Sequence, residues 1–249
     1  MDTELFQKQC HVDLIISRLA IAYEIPRDEL GVVASPKGLA YGHLQVGQIS
    51  FKFGAGLATI HENDKKEDIE PPDLVLVVEK EAVFNSIVQT YSELSRLFPR
   101  LLIVTGRGYP DLNTSKFIHW LSELGCRVAV ICDFDPYGMD IALRYRQGSK
   151  LPADRASSCC EKLLYLGINR WQIDSFSEGR DCSRHPMSIR DHKRLDRVIR
   201  SAKDADWDQL RLVAEEMKVA GFSTEIESIY GNDHGKLQCF LENELRKVL

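Results

Sequence analysis

The sequence contains no CxxC pair, no internal repeat, no low-complexity tract and no apolar run near the ~20 residues of a membrane span. Its N-terminus, MDTELFQKQC, is polar and has no apolar signal core, so neither a membrane partner nor a secretory route is expected. Charge of one sign is also lacking: 32 Lys and Arg stand against 37 Asp and Glu, a net charge of -5. That excludes a histone-like or polybasic protein and leaves any nucleic-acid surface local. The seven cysteines (10, 126, 132, 159, 160, 182 and 239) are odd in number and unpaired in spacing. They read as thiols in a reducing compartment, not as a disulfide framework or zinc site.

What is present is a patterned chain of 249 residues, long enough for one large domain or two small ones. Residues 4–22 carry Val12, Ile15, Ile16, Leu19 and Ala22 at helical spacing, and Pro26 ends the run. Leu30 to Ala34 reads as a strand, SPKGLAYG (35–42) as a turn-rich break, and Gln48 to Phe53 as an alternating strand. Residues 61–73, HENDKKEDIEPPD, hold eight charged side chains and two prolines, which marks an acidic linker or exposed loop.

The pattern then changes. LVLVVE (74–79), LLIVT (101–105) and RVAVICD (127–133) are continuous apolar runs separated by helical stretches at 80–97 and 113–124. Such runs suit strands covered on both faces, as in a parallel sheet, and the alternation makes two βαβ units. The fold class is therefore α/β, a mostly parallel sheet flanked by helices. Further helices are predicted at 207–219 and at the C-terminus, their apolar stripes facing core. Residues 140–200 hold 13 Lys and Arg against 8 Asp and Glu, a basic segment in an acidic chain.

In an open parallel sheet, ligands gather at the carboxyl ends of the strands. Glu79 ends the first apolar run, Asp133 ends the third, and Asp135 follows two residues later. Clustered carboxylates repel one another unless a cation or proton intervenes, and an all-oxygen set suits Mg²⁺ or Mn²⁺. Such an ion bridges to phosphate oxygens and so points to phosphoryl chemistry. A phospho-acceptor site of the response-regulator kind gathers carboxylates in the same place. A strand-terminal Asp is also often a helix N-cap, the role expected of Asp111 and Asp140.

VVEKEAVF (77–84), TGRGYPD (105–111) and DFDPYGMDIALRYRQGS (133–149) resemble the family that joins the meiotic double-strand-break transesterase to the topoisomerase VI A subunit, most closely its eukaryotic meiotic branch. LFQKQCHVDLIISRLA (5–20), YLGINRWQI (165–173) and EIESIYGNDHGKLQCFLENEL (225–245) extend the likeness. The resemblance implies a Toprim domain over 74–249, preceded at 1–60 by the trailing part of a winged-helix domain. It maps Glu79, Asp133 and Asp135 onto the Mg²⁺-binding acidic triad, with Glu79 also assisting proton transfer at the leaving oxygen. Lys37, Arg107, Gly108 and Tyr109 map onto DNA-facing segments, and Arg144, Arg146 and Lys150 are candidates for extending a phosphate track.

The same resemblance implies ATP-dependent type IIB topoisomerase-like transesterification on double-stranded DNA. It also implies a homodimer, a topoisomerase VI B-like partner, meiotic accessory proteins and a nuclear location. The family's nucleophile is a tyrosine a few residues before its Leu-Phe pair. Here that pair is Leu5-Phe6, and only Met1 to Glu4 precede it. The expectation is a chain that brings the metal half of a composite site and makes no covalent break by itself. The alternatives are a Toprim nuclease that needs no tyrosine, a non-cutting DNA scaffold, and a topoisomerase VI component of the archaeal or plant type.

Overall fold

The computed structural model describes residues 9–25, 27, 29–32, 37–46, 49–50, 69–176 and 183–249. Helix α1 (Gln9–Tyr23) leads to strand β1 (Leu39–Gly42) and to a small antiparallel sheet of β2 (Gln45–Val46), β3 (Ile49–Ser50) and β4 (Ile69–Glu70), ordered β3-β2-β4. The central run is β5 (Leu74–Val78), α2 (Glu81–Gln89), α3 (Tyr91–Leu97), β6 (Leu101–Thr105), α4 (Leu112–Glu123), β7 (Arg127–Ile131), α5 (Pro136–Gln147), α6 (Pro152–Arg155) and β8 (Leu164–Gly167). It is followed by α7 (Arg170–Phe176), β9 (His185–Pro186), α8 (Ile189–Asp204), α9 (Asp208–Ala220), β10 (Phe222–Ser223), α10 (Glu227–Tyr230) and α11 (His234–Leu245).

The main sheet has the order β1-β6-β5-β7-β8. β6, β5, β7 and β8 run parallel, and β1 closes one edge antiparallel to β6. Every residue of β5 and β6 is buried, as the continuous apolar runs require. From β5 the chain moves outward to β6, then crosses back to β7 on the other side. With right-handed crossovers, that reversal puts α2 and α3 on one face and α4 on the other. It also opens a crevice between the carboxyl ends of β5 and β7, the switch point where ligands bind in such sheets.

Several expectations are corrected. The helix at 80–97 is broken at Thr90, whose hydroxyl bonds the Ile87 carbonyl at 3.0 Å. Of the strand expected at Leu30 to Ala34, Leu30 and Gly31 form a turn and Val33 and Ala34 lie outside the described residues; Leu39–Gly42, read as part of a turn-rich break, is a sheet strand. The main sheet thus reaches back across the 61–73 segment. Of the strand at 48–53, only Ile49–Ser50 lies among the described residues, and 61–68 of the acidic segment lie outside them. In α1, Ile15 and Leu19 of the apolar stripe are each 43% exposed and Val12 and Ile16 are half-buried among the described residues. The stripes of α9 and α11 are core, with Leu210, Ala214, Met217, Leu237, Phe240 and Leu241 fully buried. Cys126, Cys132, Cys159, Cys160 and Cys239 are free thiols, and among the described residues no helix is long and apolar enough to cross a membrane.

Candidate metal centre

β5 and β7 are hydrogen-bonded neighbours in register, Val78 opposite Ile131, so the residues that leave their carboxyl ends emerge side by side. Glu79 Oε2 accepts the backbone N–H of Asp133 at 3.0 Å. Asp135 is the N-cap of α5: its Oδ1 accepts the N–H groups of Tyr137 at 2.8 Å and Gly138 at 2.6 Å, and Pro136 occupies the first helical position. Both carboxylates meet at Gly138. A Cβ there would lie 2.7 Å from Glu79 Oε2, so only glycine lets the glutamate rest on the first turn of α5.

The electrostatics are those of acids short of positive charge. Burial, with the charges of Asp133 and Asp135, pushes the Glu79 carboxyl from 4.5 up to about 8. Burial raises Asp135 as well, against the two helix N–H groups that favour its ionised form.

Asp133 differs from the other two. It is 3% exposed, and both its oxygens are engaged: Oδ1 accepts the N–H of Ile226 at 3.0 Å, and Oδ2 lies 2.7 Å from Lys80 Nζ. Burial raises its pKa, opposed by Lys80 and by the Ile226 N–H. Lys80 also approaches Glu225 at 3.4 Å and Glu227 at 3.5 Å. Burial alone lowers its pKa, but the bond to Asp133 and these acids raise it well above the usual lysine range. The triad expected from the sequence is therefore divided. Asp133 is neutralised by a lysine, and among the described residues no three His, Cys, Asp or Glu side chains stand as one ligand group.

Glu79 Oε1 and Asp135 Oδ2 have no hydrogen-bond or ion-pair partner among the described residues. Two half-buried carboxylates, one pushed up to about 8 and each with an unengaged oxygen, match the donor chemistry of Mg²⁺ or Mn²⁺, which keep several waters and need few protein ligands.

The other sequence candidates surround this crevice unequally. Gly108 donates its N–H to the Glu79 carbonyl at 2.9 Å, which fixes the 106–110 loop beside the acids. Arg107 in that loop has φ 54° and pairs with Glu81 at 3.0 Å. The Tyr109 hydroxyl donates to Asp140 Oδ2 at 2.6 Å, and burial, then that bond, pushes its pKa up to about 12. Asp140, expected as an N-cap, instead sits inside α5 and joins Tyr109 to Arg194, 2.8 Å away. Asp111 is the N-cap of α4, as expected, and its Oδ2 also accepts the Lys37 N–H at 3.1 Å. That bond brings the Lys-Gly turn to the same rim, with the Lys37 side chain exposed.

Arg144 lines a separate cavity behind Tyr109. Arg146, a candidate for a phosphate track, is turned inward. Its guanidinium donates to the carbonyls of Leu163, Ala205 and Asp206 and stacks on Trp207 with its centre 4.9 Å from the ring. Sequence reasoning did not single out Lys80, Gly138, Arg194 or Arg197. Lys80 adjoins Glu79 in the quoted motif, and a capping box of Ser188 and Asp191 announces the helix that bears both arginines.

A doubly wound parallel sheet with acids at the switch point, fed by a Gly-flanked loop, is the Toprim class of domain. The chain belongs to the family described as the Toprim domain of Spo11 and of the A subunit of topoisomerase 6, whose model matches residues 74–243. It is 30% identical to Meiotic recombination protein SPO11-1 of Arabidopsis thaliana over 92% of this chain and 65% of that one. It is 37% identical to Meiotic recombination protein W68 of Drosophila melanogaster over 60% of this chain and 48% of that one. To the A subunit of DNA topoisomerase 6 from Arabidopsis thaliana it is 30% identical over 77% and 46%. The chain thus spans between about half and two thirds of the length of these relatives.

Proposed function

We propose that this chain is the Mg²⁺- and DNA-binding core of a transesterase that makes DNA double-strand breaks in meiotic recombination. The observation that carries the reading is the pair Glu79 and Asp135, half-buried, close and without an ion-pair partner among the described residues, at the switch point of a sheet from this family. The meiotic branch is favoured over the topoisomerase branch because a meiotic recombination protein matches over 92% of the chain, against 77% for the topoisomerase component.

Glu79 and Asp135 hold the ion, and Asp133 positions Lys80 beside them. When bound, Mg²⁺ supplies charge that steadies a phosphate and its leaving oxygen. Lys80, held at Asp133, presents a second positive charge at the same rim. Glu79, pushed up to about 8, carries its proton near neutral pH while no ion is bound and gives it up to hold the ion, so its part at the leaving oxygen is played through the ion it holds. The 106–110 loop, Lys37 and Tyr109 face the nucleic acid. The trailing part of a winged-helix domain, expected over 1–60, then excludes Leu39–Gly42, which forms the edge strand of the main sheet. A homodimer, a B-type partner, accessory proteins and a nucleus complete the setting.

No tyrosine of these 249 residues matches the family's nucleophile motif, so the purified chain binds duplex DNA in Mg²⁺ without forming a protein–DNA link. Incubation with supercoiled plasmid and Mg²⁺, followed by a search for protein-linked 5′ ends, tests this. Linked ends from the chain alone contradict it, and metal-dependent nicking without linkage identifies a nuclease instead.

A further inference from the structure

Behind Tyr109, a cavity of about 790 Å³ runs along α5 to α8, lined among others by Ser115, Arg144, Lys150, Arg194 and Arg197. Its walls hold four cations and one carboxylate, Asp140, which Arg194 and Tyr109 already engage at 2.8 and 2.6 Å. Among the described residues, no carboxylate lies within ion-pair distance of Arg144, Lys150 or Arg197. The one bond that the Arg197 guanidinium makes among the described residues is to the Lys193 carbonyl of its own helix, at 3.4 Å. Arg194, Arg197 and Ser201 stand at i, i+3 and i+7 on α8, a single stripe beside the buried Leu195, Val198 and Ala202. Unsatisfied cations interspersed with serine hydroxyls suit phosphate oxygens. A small-molecule pocket is instead mostly apolar, with few polar groups.

We propose that this groove is a second nucleic-acid subsite, which holds backbone phosphates of the duplex flanking the strand-end acids and needs no divalent cation. The proposal rests on the DNA reading of the acid site and adds a separate contact to it. Helix α5 connects the two: Asp135 caps its start and Gly148 follows its end. Thirteen residues at about 1.5 Å rise span about 20 Å. A strand that advances about 3.4 Å per nucleotide covers that distance in about six base pairs. A duplex that runs along α5 with one phosphate at Glu79 and Asp135 then lays flanking phosphates against Arg144, Lys150 and Arg197. Asp140 keeps Arg194 turned to the groove and ties it to the Tyr109 loop, so the two sites share one rigid edge.

The test uses the full chain and a fluorescent 20-base-pair duplex, with affinity measured across a salt series in EDTA and again in Mg²⁺. The triple variant Arg144→Gln, Lys150→Gln, Arg197→Gln is compared with the unaltered chain, and circular dichroism and melting temperature check its fold. All three side chains lie at the surface or half-buried, so folding survives. The expected result is a log Kd against log salt slope smaller by about 2 to 3, with at least tenfold weaker binding at low salt, in EDTA as in Mg²⁺. An unchanged slope, with DNA still bound, overturns the groove and leaves the acid-site reading intact. Inorganic polyphosphate that binds the unaltered chain and not the triple variant, while DNA binds both alike, also overturns it by assigning the groove to a small polyanion. No DNA binding by the unaltered chain at all contradicts the function on which the groove depends.

Discussion

Lys80 Nζ lies 2.7 Å from Asp133 Oδ2, so the most buried acid of the crevice carries its own counter-charge. That contact divides the three strand-end carboxylates into one paired with a lysine and two without an ion-pair partner among the described residues. On the proposed reading, an ion held by Glu79 and Asp135 would have a lysine near it, and two unlike positive charges would be offered to a phosphate.

Removing that lysine leaves a buried charge unpaired. Lys80→Met is expected to lower stability by about 2 kcal/mol without divalent ions, since the pair is only partly shielded from water. Mg²⁺ then recovers part of the loss by attracting Asp133 into the ion's shell. Urea denaturation with and without Mg²⁺ measures both effects, and equal Mg²⁺ stabilisation of variant and parent contradicts the account.

The pH dependence has a definite sign. Glu79 is held near 8 in the folded chain against 4.5 as the ordinary value, so the folded state binds this proton more tightly. Its contribution to stability is complete below about pH 4.5 and is lost as pH rises toward 8. In EDTA, the melting temperature of the parent minus that of Glu79→Gln is expected to fall across this window. Mg²⁺ is expected to flatten the difference, because the cation replaces the proton. A difference flat in EDTA removes the uncompensated carboxylate from the account.

Gly138→Ala separates helix stability from ligand binding. Alanine favours a helix interior by about 1 kcal/mol over glycine, but its Cβ would stand 2.7 Å from Glu79 Oε2 and 3.0 Å from the Asp133 carbonyl. The variant is expected to keep its fold and bind Mg²⁺ at least tenfold more weakly. Calorimetric titration that finds unchanged affinity shows that the Glu79 position does not matter to the ion.

Arg146→Ala distinguishes a structural arginine from a DNA-facing one. It removes bonds to three carbonyls and the stack on Trp207, and is expected to cost about 1–3 kcal/mol of stability. The salt slope of DNA binding is expected to stay as it was. A slope smaller by about 1 places this side chain on the phosphate track after all.

The sheet could be read from the sequence because LVLVV, LLIVT and RVAVI are apolar at almost every position, a pattern few elements other than covered parallel strands produce. Strand-end placement then located Glu79 and Asp133 without coordinates. Capping distinguished Asp111 correctly and Asp140 wrongly. Asp140 has polar partners on α8 and in the Tyr109 loop, and contacts distant in sequence leave no local trace. Arg146 was lost for the same reason, since three carbonyls of other segments turn it inward. Lys80 was in view, but its choice between solvent and Asp133 depends on the return of residues 225–227 to the crevice. The edge strand at 39–42 was hidden by the glycines at 38 and 42, which read as turn signals.

The most direct test is isothermal titration of Mg²⁺ into the metal-free chain, its Glu79→Gln/Asp135→Asn double variant and the Asp111→Asn control. The account predicts saturable binding to the chain and to the control, and none to the double variant. Equal binding by all three would contradict it, because the ion would then be held elsewhere than at the carboxyl ends of β5 and β7.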